Sequence, residues 1–279
     1  MSQKSYNKTP SLYLIPTPIG NLEDITIRAV NILNDVEVIF CEDTRVTLEL
    51  LKFLKIKKKL IASHEHNEEK IKSQVIKYLN DGYNVGLVSD RGTPIISDPG
   101  YRIASFVIEN NYNVIGLPGA TAFVPALISS GINPYPFLFF GFLNSKDSKK
   151  NIELESLKRL NYTIIFYEAP HRLLKTLESI LTVFGNRKIA ICREISKKFE
   201  EIYRGNISDV IEQLSNTIKG EIVLIIEGAS SINNFDHLSV IEHINLYVKE
   251  GLSEKDAIKM VSKDRNINKS IIYKEYHRR

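Results

Sequence analysis

The stretch LYLIPTPIGNLEDITIRAV, residues 12–30, predicts the type of fold. Its apolar run Leu12–Ile15 is typical of a buried strand, and the segment Pro16–Gly20 is typical of a tight loop. The residues that follow place four apolar side chains on one helical face: Ile25, Ala29, Ile32 and Leu33. Strand, loop and helix form the layout of a nucleotide-binding turn, but both glycine-rich phosphate motifs are absent. We therefore expect a ligand other than a dinucleotide pyrophosphate or a nucleoside triphosphate.

The alternation of strand and helix patterns continues to about residue 130, which predicts βα units and a mostly parallel sheet. The predicted strands are Leu12–Ile15, Glu37–Cys41, Lys59–Ala62, Asn84–Ser89 and Asn113–Leu117. The predicted helices are Asp24–Asn34, Thr44–Leu54, Glu69–Asn80, Pro99–Asn110 and Ala120–Ser130.

The alternation then restarts after a linker near residues 117–122, which predicts a second α/β domain. FLFFGFL (137–143) is apolar, and NSKDSKKN (144–151) is polar and loop-like. The predicted strands are 162–168, 188–194 and 221–228, with helices over 171–184 and 207–218 and a further candidate strand over 199–205. The predicted domains are therefore residues 1–118 and 119–230.

The segment 231–279 has helix signals and no strand signal. A helix over 237–251 stops at a glycine, Ser253 is the predicted N-cap of the next helix, and Asn268 that of the last. The last helix carries a group of basic side chains: Lys269, Lys274, His277, Arg278 and Arg279. This helix–turn–helix-like tail is either a helical cap or a small RNA-binding appendage.

Composition limits the class of protein. With 279 residues, 43% apolar and 25% charged, the chain is long enough for two globular domains, and its apolar runs are too short to span a bilayer. The beginning of the sequence has no apolar signal region, so the two cysteines, Cys41 and Cys192, are expected to be reduced thiols in a cytoplasmic protein. There is no zinc ligand set, and no metal is expected.

The net charge of +4 is concentrated in clusters at residues 52–60, 144–150 and 263–279. Each cluster alone fits an ordinary solvated face. Together the clusters favour a polyanionic partner.

Four loops after predicted strands carry unusual residues. GLVSDRGTPIISDPGYRIA (86–104) combines glycine and proline with Asp90 and Asp98, which suit a cationic group or hydroxyls, at the strand end where open α/β sheets bind ligands. GLPGATAF (116–123) lets a flat group approach the backbone. IIFYEAPHRL (164–173) and ICREIS (191–196) bring acid–base candidates and arginines to strand ends, although a surface ion pair is the plain alternative for any one of them.

The motifs PTPIGNLEDIT, CEDTR, SDRGTPIISDPGY, LPGATA, YEAPHRL, CREISK and GEIVLIIEG, in this order, resemble the small-subunit (16S) ribosomal RNA cytidine 2′-O-methyltransferase family. That family lies within the tetrapyrrole methylase, or class III methyltransferase, superfamily, and the likeness runs from residue 11 to about 229. It implies two α/β domains of tetrapyrrole-methylase type with an S-adenosylmethionine (SAM) cleft between them, and a small C-terminal helical segment. It also implies a homodimer and a substrate in small-subunit ribosomal RNA or the small ribosomal subunit.

The resemblance implies donor-site residues position by position. The loop Pro18, Ile19 and Gly20 resembles the superfamily's Gly-Pro-Gly-Asp loop, and the methionine-side loop is matched at Gly92, Thr93, Pro94 and Ile96. The remaining implied donor-site residues are Asp90, Asp98, Gly119, Thr121, Ala122, Tyr167, Glu168 and Ile195. Arg91 departs from the expected Ala, and it either changes the shape of the donor loop or adds a cation near the RNA. SAM has no phosphates, which agrees with a stiff Pro/Gly loop in place of a phosphate cradle.

Ribose 2′-O-methylation is helped by a general base and by cations near the flanking phosphates. The base candidates in the matched motifs are Glu168, His171, Asp43 and Glu194, of which we favour Glu168 or His171. The phosphate candidates are Arg45, Arg172 and Arg193. Two alternatives stay open: a corrin, porphyrin-precursor or diphthine-type methyltransferase of the same superfamily, and a non-enzymatic nucleic-acid-binding protein.

Overall fold

A computed structural model describes residues 3–5, 7–64, 67–214, 218–229, 238–265 and 267–277. The chain divides into two compact units, Met1–Glu155 with Thr163–Glu227, and Ser156–Tyr162 with Gly228–Arg279. No helix in these described ranges has both the length and the apolarity needed to cross a membrane.

The first sheet of the larger unit is entirely parallel, with the order β3-β2-β4-β1-β5, and this confirms the predicted parallel arrangement. Its strands are β1 Ser11–Leu14, β2 Val38–Cys41, β3 Lys59–Ala62, β4 Val85–Val88 and β5 Asn113–Gly116. Its helices are α1 Ile27–Asp35, α2 Thr44–Phe53, α3 Glu68–Asn80, α4 Tyr101–Glu109 and α5 Phe123–Ser129.

Helices cover this sheet on both faces because the buried strands are apolar on both sides. Leu12 and Phe40 pack with residues of α3 and α4, whereas Ile15 and Ile39 pack with residues of α1 and α2. Helix α1 begins later than predicted, because the Thr26 side chain accepts a hydrogen bond from the Ala29 N–H and caps the helix there.

The second sheet of the larger unit is mixed and mostly antiparallel, with the order β6-β7-β10-β8-β9. Its strands are β6 Phe137–Phe142, β7 Thr163–Glu168, β8 Lys188–Arg193, β9 Glu201–Asn206 and β10 Ile222–Ile226. Only β6 and β7 pair in parallel, so this sheet does not repeat the parallel arrangement of the first. The physical reason is that β10, a fully buried apolar strand, inserts between β7 and β8 and runs against both.

The helices of this half are α6 Asp147–Leu157, α7 Leu173–Phe184 and α8 Ile207–Gln213. The loop prediction for 144–151 was wrong from Asp147 onward, because the backbone turns into α6 there and the helix buries Leu154 and Leu157. The end of the helix predicted over 207–218 includes residues 215–217, which lie outside the described ranges. The predicted domain boundary at 118/119 falls between β5 and α5.

The smaller unit contains α9 Val240–Lys249, α10 Glu254–Asp264 and α11 Lys269–His277. These helices share a core of their own, formed by Val240, Ile244, Ala257, Ile258, Val261 and Ile272. The predicted N-caps are confirmed, since the Ser253 side chain accepts from the Asp256 N–H and the Asn268 side chain accepts from the Ser270 N–H. The predicted boundary at 230/231 and the terminal pair Arg278 and Arg279 lie outside the described residues.

Candidate active site

Two loops at the carboxyl ends of β1 and β4 are fastened to each other. The Thr17 N–H donates to the Gly92 carbonyl at 2.9 Å, and the Gly92 N–H donates back to the Thr17 carbonyl at 3.0 Å. The Thr17 hydroxyl also donates to the Ser89 carbonyl at 3.2 Å. Both predicted ligand loops therefore have a fixed shape before any ligand binds.

Gly92 is required at its position for two reasons. Its φ of +80° lies in the left-handed region that favours glycine, and an added Cβ would meet Ile19 Cγ2 at 3.1 Å. At Gly119 an added Cβ would meet Pro16 Cβ at 2.5 Å, so the loop after β5 also packs closely on the β1 loop.

A cavity of about 380 Å³, here called the main cavity, opens between the loops of the two sheets. Nine residues of the predicted donor site line it: Ile19, Gly92, Thr93, Ile96, Asp98, Thr121, Ala122, Tyr167 and Glu168. Its volume falls within the range of small-molecule sites.

Residues that were not among the predicted donor-site residues complete the main cavity. They come from the loop after β4 and from the strand ends of the second sheet: Arg91, Ser97, Phe142, Ala169, Pro170, Gly220, Glu221, Ile222 and Val223. The motif GEIVLIIEG marked the segment of β10, but nothing in the sequence shows that its first residues face the β4 loop.

Five of the six remaining predicted donor residues line neighbouring cavities. Pro18, Gly20 and Asp90 line one of about 500 Å³, together with Glu194. Gly119 and Ile195 line another of about 510 Å³. Pro94 lines none of the three.

Hydroxyl groups fix the polar side of the main cavity. The Thr93 hydroxyl donates to the Ala120 carbonyl at 2.9 Å and lies 2.6 Å from the Thr121 hydroxyl. These contacts connect the β4 loop to the segment before α5, so Thr93 and Thr121 hold one wall in place.

Aromatic rings form the opposite side. The ring of Tyr167 packs edge-on against Phe139 and Phe142, with centroids 5.0 Å and 5.6 Å away. Burial raises the pKa of the Tyr167 hydroxyl to about 12, so it stays protonated at neutral pH. A protonated phenol next to exposed ring surface suits a flat, uncharged group such as adenine.

Three of the four predicted bases already have internal partners, and Glu168 is the most fully engaged of them. Its carboxylate is buried and accepts from the Ala169 N–H at 2.8 Å and the Thr176 hydroxyl at 2.6 Å. It also pairs with Arg172 Nε at 3.3 Å. Both oxygens are therefore engaged, which favours an anchoring function for Glu168.

Asp43 and Glu194 are weak bases in this structure. The hydrogen bond from the Arg45 guanidinium lowers the pKa of Asp43 to about 2. Burial raises the pKa of Glu194, but hydrogen bonds from Lys197 and from the Glu221 N–H outweigh it and lower the pKa overall. The fourth candidate, His171, is exposed on the 3₁₀ turn before α7 and does not line the main cavity.

The three predicted phosphate-binding arginines differ in availability. The Arg45 side chain is 88% exposed and pairs only locally with Asp43, at 2.6 Å. Arg172 Nη2 donates to the Leu143 and Asn144 carbonyls, at 2.8 Å and 3.2 Å. Arg193 pairs with Glu201 at 3.1 Å. Of these three, Arg45 presents the most guanidinium surface to an RNA phosphate.

Arg91 connects the two sheets. Its guanidinium pairs with Glu221, which immediately precedes β10 and also pairs with Lys197 at 3.2 Å. The unexpected arginine of the β4 loop is thus part of an ion-pair network at the rim of the main cavity.

Comparison with known proteins agrees with this fold. Residues 11–211 match the tetrapyrrole (corrin/porphyrin) methylases. Over 273 residues the chain is 45% identical to the ribosomal RNA small subunit methyltransferase I of Bacillus subtilis, a match that covers 95% of this chain and 94% of the relative. The chain belongs to the tetrapyrrole methylase family and, within it, to the ribosomal RNA small subunit methyltransferase I group.

Other members of this group and other tetrapyrrole methylases extend the likeness. The Halalkalibacterium halodurans ribosomal RNA small subunit methyltransferase I is 42% identical over 285 residues, 99% of each chain. A cobalt precorrin-4 methyltransferase superposes with a TM-score of 0.59 at 15% identity, over 81% of this chain and 98% of its own. A Thermus thermophilus uroporphyrin-III C-methyltransferase, solved with S-adenosylhomocysteine, superposes with a TM-score of 0.54 at 16% identity. The match covers 77% of this chain and 96% of the other. These structures share the fold of this tetrapyrrole methylase.

Proposed function

We propose that this protein transfers the methyl group of SAM to the ribose 2′-oxygen of a cytidine in 16S ribosomal RNA. The observation that carries the proposal is the near-full-length identity to ribosomal RNA small subunit methyltransferases I. The paired Pro/Gly loops and the main cavity are consistent with it.

The residues of the main cavity fit SAM. Gly92 allows the positive φ that shapes the loop, and Tyr167 and Phe142 offer ring surface for adenine. When bound, SAM supplies an electrophilic methyl group on a sulfonium. The walls of the main cavity would position the methyl group for in-line attack, and positioning is a main source of rate in such a displacement.

RNA binding is assigned to basic surface outside the main cavity. Arg45 and the lysines of 52–60 are mostly exposed, and so are Lys263, Lys269 and Lys274 of the smaller unit. Contacts of this kind hold phosphates and set the register of an RNA, while the ribose enters the site.

The homodimer implied by the resemblance is part of the proposal. Multi-angle light scattering of the purified protein tests it, with an expected mass of twice the 31.8 kDa of one chain. A single-chain mass at micromolar concentration would remove the dimer from the proposal.

The deciding experiment maps ribose methylation of 16S RNA in cells that lack this protein. We expect one cytidine to lose its 2′-O-methyl group, and a plasmid copy of the wild-type gene to restore it. An unchanged methylation map would reject the proposed function.

A further inference from the structure

Asp98 lies on a wall that two cavities share. Together with Ser97 it lines the main cavity and also a separate cavity of about 510 Å³, here called the Tyr101 groove. The other residues of the Tyr101 groove are Glu68, Pro99, Gly100, Tyr101 and Arg102. A carboxylate in this position faces both a donor-sized cavity and an adjoining open groove.

The Tyr101 groove has the side chains that bind single-stranded RNA. Tyr101 is 70% exposed and the Arg102 side chain is 68% exposed, although both lie at the start of a helix with a buried inner face. An exposed ring stacks on a nucleobase and a guanidinium pairs with a phosphate. Glu68 accepts from the Gly100 N–H at 2.8 Å and lies 3.8 Å from Arg102 Nε, which fixes the loop and leaves the exposed end of the guanidinium for a phosphate.

Asp98 lies among groups that disfavour its ionised form. Burial and the nearby like charges of Glu42 after β2 and Asp90 after β4 outweigh the Ser89 hydroxyl, which favours the ionised form. Tyr167 lines the same cavity, and the charge of Asp98 helps to raise the pKa of its hydroxyl. Burial and the repulsion by Glu42 raise the pKa of Asp98 to about 6, a value suited to accepting a proton near neutrality.

Building on the proposed ribose methylation, we propose that the target nucleotide occupies the Tyr101 groove and that the Asp98 carboxylate takes the proton of its 2′-hydroxyl. The O–H bond breaks and its proton passes to Asp98. The electron pair left on the oxygen forms the bond to the methyl carbon. The carbon–sulfur bond breaks, and its electrons stay on the sulfur, which becomes a neutral thioether.

The first test measures single-turnover methyl transfer by Asp98→Asn on the native ribosomal substrate. We expect a loss of about a hundredfold or more, with SAM affinity and RNA affinity within a few-fold of wild type. A variant that transfers methyl at the wild-type rate would overturn the proposal. So would a variant that loses SAM binding, because Asp98 would then be a donor contact, as the family resemblance implied. His171→Ala is the competing variant, and a hundredfold loss there with an active Asp98→Asn would assign the base to His171.

A second measurement is independent of activity. Ionised Asp98 is disfavoured in the folded protein, so its carboxylate lowers the stability of the wild type above about pH 6 and not below about pH 4. We expect Asp98→Asn to melt at a higher temperature than wild type at pH 8 and at the same temperature at pH 4. Equal melting temperatures at both values would contradict the assigned environment of Asp98.

The groove is tested by RNA binding. Tyr101→Ala should weaken binding of the ribosomal substrate by about tenfold, since stacking on one base contributes about 1–3 kcal/mol. Tyr83→Ala is the matched control, because Tyr83 is 47% exposed and lines none of the cavities described here. Equal RNA affinities of the two variants would place the nucleotide elsewhere. Since wild-type protein must first methylate the substrate, failure of the proposed function is seen before any variant is compared.

Discussion

Three of the six non-glycine residues with a positive φ in the described part of the chain lie in the site loops. Ile95, Glu194 and Ser196 have positive φ values of 77°, 53° and 68°, although none of them is glycine. Ile95 is β-branched, for which this region is a genuine outlier. All three lie in loops that follow β4 or β8, next to the main cavity and its neighbours. Such a strained backbone persists where the surrounding contacts hold it in place, and it is common at binding sites.

Gly92→Val tests the donor loop at the residue scale. We expect this variant to lose SAM binding by calorimetry, because the side chain forces the loop out of its φ of +80° and against Ile19. Gly82→Val is the matched control, since Gly82 has a φ of +89° and nothing within 4 Å of an added Cβ. Both variants should lose stability, but only Gly92→Val should lose the donor. Equal SAM affinities would remove this loop from the site.

Glu168→Gln tests the anchoring contacts. The change leaves the Arg172 guanidinium without its carboxylate partner in a buried setting, which costs about 1–3 kcal/mol. We expect a clear fall in the midpoint of urea unfolding, whereas the exposed Glu178→Gln on α7 should leave it unchanged. An unchanged midpoint for Glu168→Gln would show that the buried pair adds no stability.

At the scale of elements, the three-helix unit is a candidate RNA-binding surface with its own core. Its exposed lysines lie on surface that the helices do not use for packing, while Ile272 of α11 is fully buried. Exposed lysines also occur on an ordinary solvated face, so RNA binding by these charges has to be tested. The function of these lysines can be tested by substitutions that leave the core intact.

Lys269→Gln with Lys274→Gln tests RNA binding by α11. We expect weaker RNA binding. The slope of log affinity against log salt concentration should become shallower by roughly one unit for each phosphate no longer bound. Lys77→Gln with Lys188→Gln removes the same charge from exposed positions of the larger unit and serves as the control. Equal salt slopes for the two double variants would indicate that α11 does not bind RNA. SAM affinity should not change in either.

At the scale of the whole larger unit, polar side chains join the loops of the two sheets at the main cavity and at the neighbouring cavity lined by Gly119 and Ile195. Arg91 of the first half pairs with Glu221 of the second, and the Ser196 hydroxyl donates to the Asp24 carboxylate. The Asn21 N–H donates to the Ser196 hydroxyl at 3.3 Å. These contacts set the spacing of the cavity walls and so connect the packing of the two sheets to donor binding.

A charge reversal tests this connection. Arg91→Glu places a like charge against Glu221, and we expect SAM affinity to fall, with Glu221→Arg in the same chain restoring much of it. Both side chains are more than half exposed, so Arg91→Ala alone should cost no more than about fivefold. If the double reversal binds SAM no better than Arg91→Glu, the effect is local to Arg91 and not a property of the pair.

The sequence by itself determined the first sheet and the tail helices, and it indicated nine of the residues that line the main cavity. The period of the apolar residues, the capping residues and the Pro/Gly loops each determine structure within a few residues along the chain. For this reason β3 occurs where it was predicted and Ser253 caps its helix. The order of the motifs also indicated the family, because Ile19, Gly92 and Thr121 lie in loops whose sequences resemble those of tetrapyrrole methylases.

Only the tertiary structure decided how the second sheet is ordered and which polar groups remain available. Strand order depends on which apolar strand gains most from burial on both faces, and β10 takes the centre for that reason. Likewise, a carboxylate's chemistry depends on partners distant in sequence. Glu168 is occupied by Thr176 and Arg172, whereas Asp98 is buried beside Glu42 on the wall of two cavities. Desolvation and Coulomb energy depend on distance in space, which local sequence patterns do not encode.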